Sequence, residues 1–224
     1  MNIVNLLPNF CGLLALGLAF LVLFSNPRNK INQLFFLSLT SLSLWIIGEV
    51  FFRNATSIPA AFFWARAENF FGIMTAILFV VFTHYFPYQS SSFSPVKKII
   101  LGLFVGVSSL VIFTPDFYIV DVFIDPPFNN FFLSAFGRTV YLLIFCSSVV
   151  FAYYNLFHKY LSIGGSMRNN ILVIVLATSL LASLGTFLGV VIPAVYGHDN
   201  QWYVSLFSFP LVVIIGWFVL LRRT

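Results

Sequence analysis

Long apolar runs separated by short polar stretches are the dominant pattern along this chain. A helix needs about 20 apolar residues to cross the hydrocarbon core of a bilayer, and by that measure the pattern predicts seven helices. Each connecting stretch is rich in Pro, Gly, Ser, Asn or charged residues, as expected of turns. We therefore expect an all-α polytopic membrane protein, a single domain over residues 1–224 built as a seven-helix bundle. The predicted helices are 5–25, 33–53, 62–86, 96–114, 131–157, 169–192 and 202–221.

Composition supports a membrane protein. The chain is 60% hydrophobic and only 8% charged, and its mean hydropathy is +1.01, values that a water-soluble domain of this size would not tolerate on its surface. The net charge of +5 comes from basic residues spread along the chain. That distribution is typical of topology signals and not of a nucleic-acid-binding patch, so we expect a lipid bilayer and no nucleic acid as partner.

The distribution of charge also predicts orientation. The first, third and fifth connections and the C-terminal tail hold bases and no acids, whereas the other connections hold most of the acids. The positive-inside rule then places the N-terminus outside the cell and the C-terminus in the cytoplasm, in the inner membrane. Seven crossings place the two termini on opposite sides of the membrane, so the number of predicted helices agrees with the distribution of charge. The bases are Arg28, Lys30, Lys97, Lys98, Lys159, Arg168, Arg222 and Arg223; the other connections hold Arg53, Asp116, Asp121, Asp125 and Asp199.

The longest predicted outer loop spans residues 116–130. Within it, the stretch DFYIVDVFIDPP alternates aromatic or aliphatic positions with acids and ends in a pair of prolines. Two interpretations stay open, a short hairpin that lies over the outer mouth of the bundle and an unstructured loop.

Four charged residues lie inside the predicted helices: Glu49, Arg66, Glu68 and Arg138. All four fall in the outer halves of their helices. Insertion of one charge into a bilayer costs at least ~2.5 kcal/mol, so such residues normally face the bundle interior and have partners.

Arg66 and Glu68 cannot be partners of each other, because positions two apart on a helix point about 200° apart. The available complements are Glu49 for Arg66 and Arg138 for Glu68. Two compatible interpretations follow: interhelical ion pairs that hold helices two, three and five in register, or a polar cavity, open to the outside, where these charges meet a ligand. Snorkelling of Arg66 past Trp64 to the interface is a third.

Three polar residues adjoin these charges. Trp45 lies one turn from Glu49, Asn69 follows Glu68, and Tyr141 lies three positions after Arg138. They would line the same cavity, and ordinary packing is the alternative for Trp45 and Tyr141.

Predicted helices six and seven carry packing and hinge candidates. Ser179 and Ser183, then Gly185 and Gly189, repeat at four-residue spacing, which allows helix backbones to approach closely, either within the bundle or across a homodimer. Pro210 lies inside helix seven and is expected to kink it, which makes it a hinge candidate.

No pattern in the chain indicates catalysis, a metal or a cofactor. His84, His158 and His198 fall in different parts of the predicted bundle and cannot converge on one ion. Cys11 and Cys146 both lie in apolar runs and are interpreted as free, packed thiols. No phosphate-binding loop, nucleophile elbow or zinc-protease motif occurs.

Three classes of seven-helix protein remain to be compared. A retinal photoreceptor needs a lysine inside the last helix, and the lysines here all fall in predicted inner loops. A small-solute transporter or channel-like protein is expected to have repeated halves and a site at the midplane, neither of which is apparent, and it stays as the alternative. A sensor that binds a signal in its outer half fits the position of the charges.

Several motifs strengthen the sensor interpretation through their order and spacing. They are LSLWIIGEVFFRNAT, FFWARAENFFGIMTAILFVVFTHYF, FAYYNLFHKYLSIGGSMRNNI, VVIPAVYG and a final LLRR. In this order they resemble the seven-transmembrane sensor region at the N-terminus of many prokaryotic histidine kinases, over essentially the whole chain. Trp45, Gly48, Glu49 and Arg66 match the tryptophan-glycine-acid and arginine pattern of that family.

The resemblance implies an input module that detects an extracytoplasmic or lipid-phase signal, either a small molecule or a lipid-like compound. The last helix would relay that signal to a cytoplasmic transmitter domain or partner protein of the two-component type. No phosphoacceptor helix or ATP-binding domain follows helix seven before Thr224. We therefore expect no enzyme activity from the chain itself, which is either part of a longer protein or a free-standing receptor.

Overall fold

The computed structural model describes residues 3–87, 93–126 and 129–186, which are mainly helical. The predicted helix at 202–221 with Pro210, and Gly189, lie outside these residues. The helices within them are α1 (Ile3–Ser25), α2 (Lys30–Asn54), α3 (Ile58–Tyr85), α4 (Pro95–Phe113), α5 (Ala135–Ser162) and α6 (Ser166–Thr186).

Within the described residues, α1 to α5 are long and apolar enough to cross a membrane. The bounds of α1 to α4 agree with the predicted ones to within about one helical turn. Helix α6 contains a shorter apolar stretch, Met167–Ser179, and also includes Ser183 and Gly185.

Short polar residues determine where several helices begin. The Asn29 side chain accepts a hydrogen bond from the backbone amide of Ile31 at 2.8 Å, and Ser134 does the same for Gly137 at 2.8 Å. Ser94 accepts from Lys97 ahead of the first turn of α4. These caps satisfy amides that have no partner within the helix, so each connection ends at a defined residue.

The long loop forms a β-hairpin, which was one of the two alternatives. Strands β1 (Ile119–Phe123) and β2 (Asn130–Leu133) pair antiparallel, with Val122 opposite Phe131. The predicted start of helix five at residue 131 is therefore wrong, because β2 takes the first residues of that apolar run and α5 begins only after the Ser134 cap.

The hairpin is fastened to the helices by buried polar contacts. Asn129 donates hydrogen bonds to the carbonyls of Phe52 and Ala55, both at 2.8 Å, at the C-terminal end of α2. The Ser134 amide donates to the Tyr118 carbonyl at 2.8 Å. We call this end of the bundle, where α2 ends and α3 begins, the hairpin end.

Helix α3 is the centre of the described bundle, since it packs against α2, α4, α5 and β1. Its most extensive partner is α2. Gly48 permits their close approach, because a Cβ at that position would lie 3.3 Å from the Glu68 Cα. The Ser41 hydroxyl donates to the Phe71 carbonyl across the same interface at 3.0 Å, and Ser43 donates to the Gly12 carbonyl of α1 at 2.6 Å. Small residues and interhelical hydrogen bonds of this kind replace the hydrophobic effect in lipid.

Lys159 fastens α5 to α3 at the end opposite the hairpin. It was predicted to lie in an inner loop, but it lies in the last turn of α5. Its ammonium donates to the carbonyl of Thr83 at 2.8 Å and also to the carbonyls of His84 and Phe86. A cation at these carbonyls satisfies the C-terminal end of α3 and complements its dipole.

Gly137 marks the tightest contact between α5 and the hairpin. A Cβ there would lie 2.6 Å from the Phe117 carbonyl oxygen and 2.7 Å from the Tyr118 Cα, whereas a Cβ at Gly102 of α4 would have no neighbour within 4 Å. We expect Gly137→Ala to lower the free energy of unfolding by about 1–3 kcal/mol, as overpacking typically does. Thermal unfolding in detergent micelles measures this, with Gly102→Ala as the matched control; equal melting temperatures for the two variants would contradict the packing described.

Candidate functional site

Glu49 pairs with Arg53, one turn further along α2. The Arg53 Nη2 lies 3.1 Å from the Glu49 Oε1, and the Arg53 Nε donates to the same oxygen at 3.2 Å. Both side chains are buried. Two parts of the prediction are thereby corrected: Arg53 is not a loop residue, and the salt bridge of Glu49 is with Arg53 and not with Arg66. The spacing of four, with the acid first, could have indicated this pair from the sequence.

Glu68 lies in the tight interface between α3 and α2. It is 2% exposed, and its backbone and Cβ form the surface that Gly48 approaches. Glu68 lies one turn before Gly72 on the same face of α3, and the Tyr141 hydroxyl of α5 approaches Gly72. Glu68 therefore belongs to the place where α2, α3 and α5 meet.

Arg66 lies on a different face of α3, as the spacing predicts. Its guanidinium carbon is 5.3 Å from the centre of the Phe62 ring, and it lines a cavity together with Phe113 and Asp116. Arg66 Nε is buried and makes no hydrogen bond to a described residue. The structure thus separates Arg66 from the Glu49–Arg53 pair.

Arg138 is exposed in the first turn of α5. It forms no salt bridge within the part of the chain that the structure describes, so the predicted pair with Glu68 is not found there. Gly137 of the same turn is buried against the hairpin, so Arg138 lies on the side of this turn that faces away from the packed interior.

The side chains of Trp45 and Tyr141 both lie close to Gly72 of α3. A Cβ at Gly72 would lie 3.0 Å from the Tyr141 hydroxyl and 3.7 Å from the Trp45 Nε1. Gly72 of α3 therefore leaves the space in which polar atoms of α2 and α5 come together. Tyr141 also stacks on the ring of Tyr118, with centroids 5.7 Å apart.

Asn69 connects the helices to the hairpin. The Tyr118 hydroxyl donates to Asn69 Oδ1 at 2.7 Å, and Asn69 Nδ2 donates to the Ala65 carbonyl at 2.8 Å. Tyr118 is fully buried just before β1. Tyr118 was not among the residues predicted from the sequence, because its partner lies far away in the chain. Only the alternation of aromatic residues in the loop indicated a buried face of the hairpin.

We call five neighbouring residues the polar seam: the buried Glu68, Asn69 and Tyr118 and the partly buried Trp45 and Tyr141. It joins α2, α3, α5 and the hairpin. Among the described residues, no group of three His, Cys, Asp or Glu side chains could hold a metal ion. A buried hydrogen bond such as the one between Tyr118 and Asn69 rigidifies the packing of the elements that it joins.

Ser179, Ser183 and Gly185 lie in α6, and Ser179 is partly buried. Their role in packing stays a prediction, because Gly189, the last member of the set, lies outside the described residues.

The Glu49–Arg53 pair makes a quantitative prediction. Glu49→Leu leaves a buried guanidinium without its carboxylate, so we expect a loss of about 3 kcal/mol in the free energy of unfolding. The double variant Glu49→Leu/Arg53→Met replaces both charges with apolar groups and should recover much of that loss. The cycle of Glu49→Leu with Arg66→Met is the control and should be close to additive. Thermal unfolding measures both cycles; stronger coupling of Glu49 to Arg66 than to Arg53 would contradict the pairing.

Comparison with known proteins assigns the family. A search of curated proteins finds no match. A family model described as the N-terminal 7TM region of histidine kinase matches residues 7–224, which is nearly the whole chain. The match confirms the resemblance seen in the motifs and the interpretation of the chain as a multi-pass membrane protein with a sensory role. The chain belongs to the family of N-terminal seven-transmembrane regions of histidine kinases.

Proposed function

We propose that this chain is the sensory input module of a two-component signalling system in the inner membrane. Its single domain has seven transmembrane helices, with the N-terminus outside and the C-terminus in the cytoplasm. A signal from outside or from the lipid phase shifts the packing of the hairpin end, and the last helix passes this shift to a cytoplasmic transmitter domain or partner.

One observation carries the proposal: the hydrogen bond from Tyr118 to Asn69 joins the hairpin to the central helix. Because α3 contacts α2, α4 and α5, a displacement of the hairpin changes the polar environment at the centre of the bundle. The seam also includes Glu68, whose burial makes its surroundings sensitive to small movements.

The remaining predicted residues have supporting places in this scheme. Glu49 and Arg53 hold the end of α2 beside the Asn129 anchor of the hairpin. Arg138 begins the helix that carries Tyr141. Pro210 is proposed as the hinge of the last helix, and pairing of two copies through Gly185 and Gly189 is proposed as the route to a homodimer. The signal must bind one state of the bundle more tightly than the other, and a coupling of about 1–3 kcal/mol would suffice.

A kinase output tests the relay. The chain is joined in frame after Thr224 to the transmitter domain of a histidine kinase, and autophosphorylation is measured in membrane vesicles. Tyr118→Phe removes only the hydroxyl, and we expect the basal rate to change at least about fivefold, which is the lower end of typical allosteric coupling. Tyr154→Phe is the matched control, because Tyr154 is 65% exposed on α5. Equal rates in both variants and the wild type would contradict the relay.

Orientation has its own test. In a Cys11→Ala/Cys146→Ser background, single cysteines are placed at Asp125 of the hairpin loop and at Arg28 between α1 and α2, both exposed positions. A membrane-impermeant maleimide should label position 125 in intact cells and position 28 only after the membrane is opened, because the positive-inside rule places them on opposite sides. The reverse pattern would contradict the proposed topology.

A further inference from the structure

A cavity of about 500 Å³ lies on the side of α3 that faces α4, near the hairpin end. Its volume is in the range of small-molecule sites. Phe62, Phe63 and Phe113 supply an apolar wall, and Arg66 and Asp116 supply the charges. The cavity therefore combines a large aromatic surface with one cation and one anion.

Arg66 lines this cavity and has one donor atom without an acceptor among the described residues. Phe62 supports the guanidinium from one side at 5.3 Å, which limits its direction. The buried Nε makes no hydrogen bond to a described residue. A buried donor without an acceptor is unfavourable, and a guanidinium binds carboxylate or phosphate through two parallel hydrogen bonds. The site at Arg66 thus suits an anionic group.

Asp116 is held in an unusual backbone conformation. Its φ is 62°, in the left-handed region. It follows Pro115 in a turn closed by a 3.4 Å hydrogen bond from the Phe117 amide to the Thr114 carbonyl. A glycine would occupy this position of the turn with less strain. Strained residues concentrate at ligand sites, and here the strain keeps an exposed carboxylate at the rim of the cavity.

The two charges do not neutralise each other. The salt bridge found among the described residues joins Glu49 and Arg53, so Arg66 and Asp116 line the cavity without pairing with each other. A ligand with one charge would satisfy one of these residues and be repelled by the other. A ligand with both charges would satisfy both of them.

We propose that this cavity binds a zwitterionic amphiphile, with its anionic group on Arg66, its ammonium group on Asp116 and its apolar part against the three phenylalanines. A ligand of this kind has two sources. One is a free hydrophobic amino acid from outside, and the other is a lipid with a phosphoethanolamine headgroup from the membrane. The proposed site specifies which ligand the sensor would detect. It rests on the proposed function only in the claim that this ligand is the signal. Binding itself is measured without any cytoplasmic output.

The test uses the full 224-residue chain in a non-ionic detergent, with bound molecules counted by native mass spectrometry. The probes are lysophosphatidylethanolamine, L-phenylalanine and lysophosphatidylglycerol, which carries only a negative charge. Arg66→Gln and Asp116→Asn remove one charge each, while Arg28→Gln and Asp125→Asn make the same changes at exposed positions outside the cavity. Asparagine, like aspartate, tolerates the left-handed conformation, so the Asp116→Asn variant is expected to fold.

We expect a zwitterionic probe to bind saturably and to lose about ten- to a hundredfold in affinity in Arg66→Gln and in Asp116→Asn alike, as expected for hydrogen bonds to charged groups. The two control variants should bind like the wild type. If only lysophosphatidylethanolamine shows this pattern, the ligand comes from the membrane. If only L-phenylalanine shows it, the ligand is a free amino acid.

Three results would overturn the proposal: no saturable binding of either zwitterion, a loss in only one of the two cavity variants, or binding of lysophosphatidylglycerol that matches the zwitterions. If binding behaves as expected while Tyr118→Phe leaves kinase output unchanged, the site stands and the relay fails. If Tyr118→Phe alters output while neither zwitterion binds, the relay stands and this ligand assignment fails.

Discussion

Polar groups inside an apolar bundle must be satisfied by the protein, because hydrocarbon offers neither water nor hydrogen-bond partners. This constraint determines how α2, α3 and α5 pack. Glu49 is held by Arg53 on its own helix, and Ser41 donates to a carbonyl of α3. Glu68 and Tyr141 lie where three helices converge, with glycines at positions 48 and 72 making room for them. The helices are thereby fixed relative to one another at a few polar points, and apolar side chains fill the space between.

As a result, two faces of helix α3 carry polar residues to different parts of the protein. One face carries Glu68 and Asn69 into the polar seam, where the Tyr118 hydroxyl brings in the hairpin. The other face carries Arg66 to the aromatic cavity beside Asp116. The turn that contains Asp116 leads directly into Tyr118, so the rim of the cavity and the anchor of the hairpin belong to one short segment. A ligand that moved this turn would act on the seam through a single residue, which is a direct physical route from a site at the hairpin end to the centre of the bundle.

The sequence predicts the helices well where a long apolar run has clear polar ends, as in α1 to α4. It fails at residues 131–133, because the run NFFL can continue a helix or pair as a strand, and only the Ser134 cap and the pairing with β1 decide between them. The opposite directions of Arg66 and Glu68 follow from helical geometry alone. The predicted partner of Glu49, Arg66, was wrong. Arg53 had been assigned to a loop, although α2 continues to Asn54. The role of Tyr118 could not be predicted from the sequence, since its contact with Asn69 depends on the tertiary position of the hairpin.

The most direct test of the account is the coupling energy between Tyr118 and Asn69, measured by thermal unfolding of Tyr118→Phe, Asn69→Ala and the double variant. The account predicts a coupling of about 0.6 kcal/mol or more, the average for side-chain hydrogen bonds inside membrane proteins. The double variant should therefore lose less stability than the sum of the two single variants. Strict additivity would show that the hairpin and the central helix are energetically independent, and would contradict the claim that a signal at the hairpin end reaches the bundle through this contact.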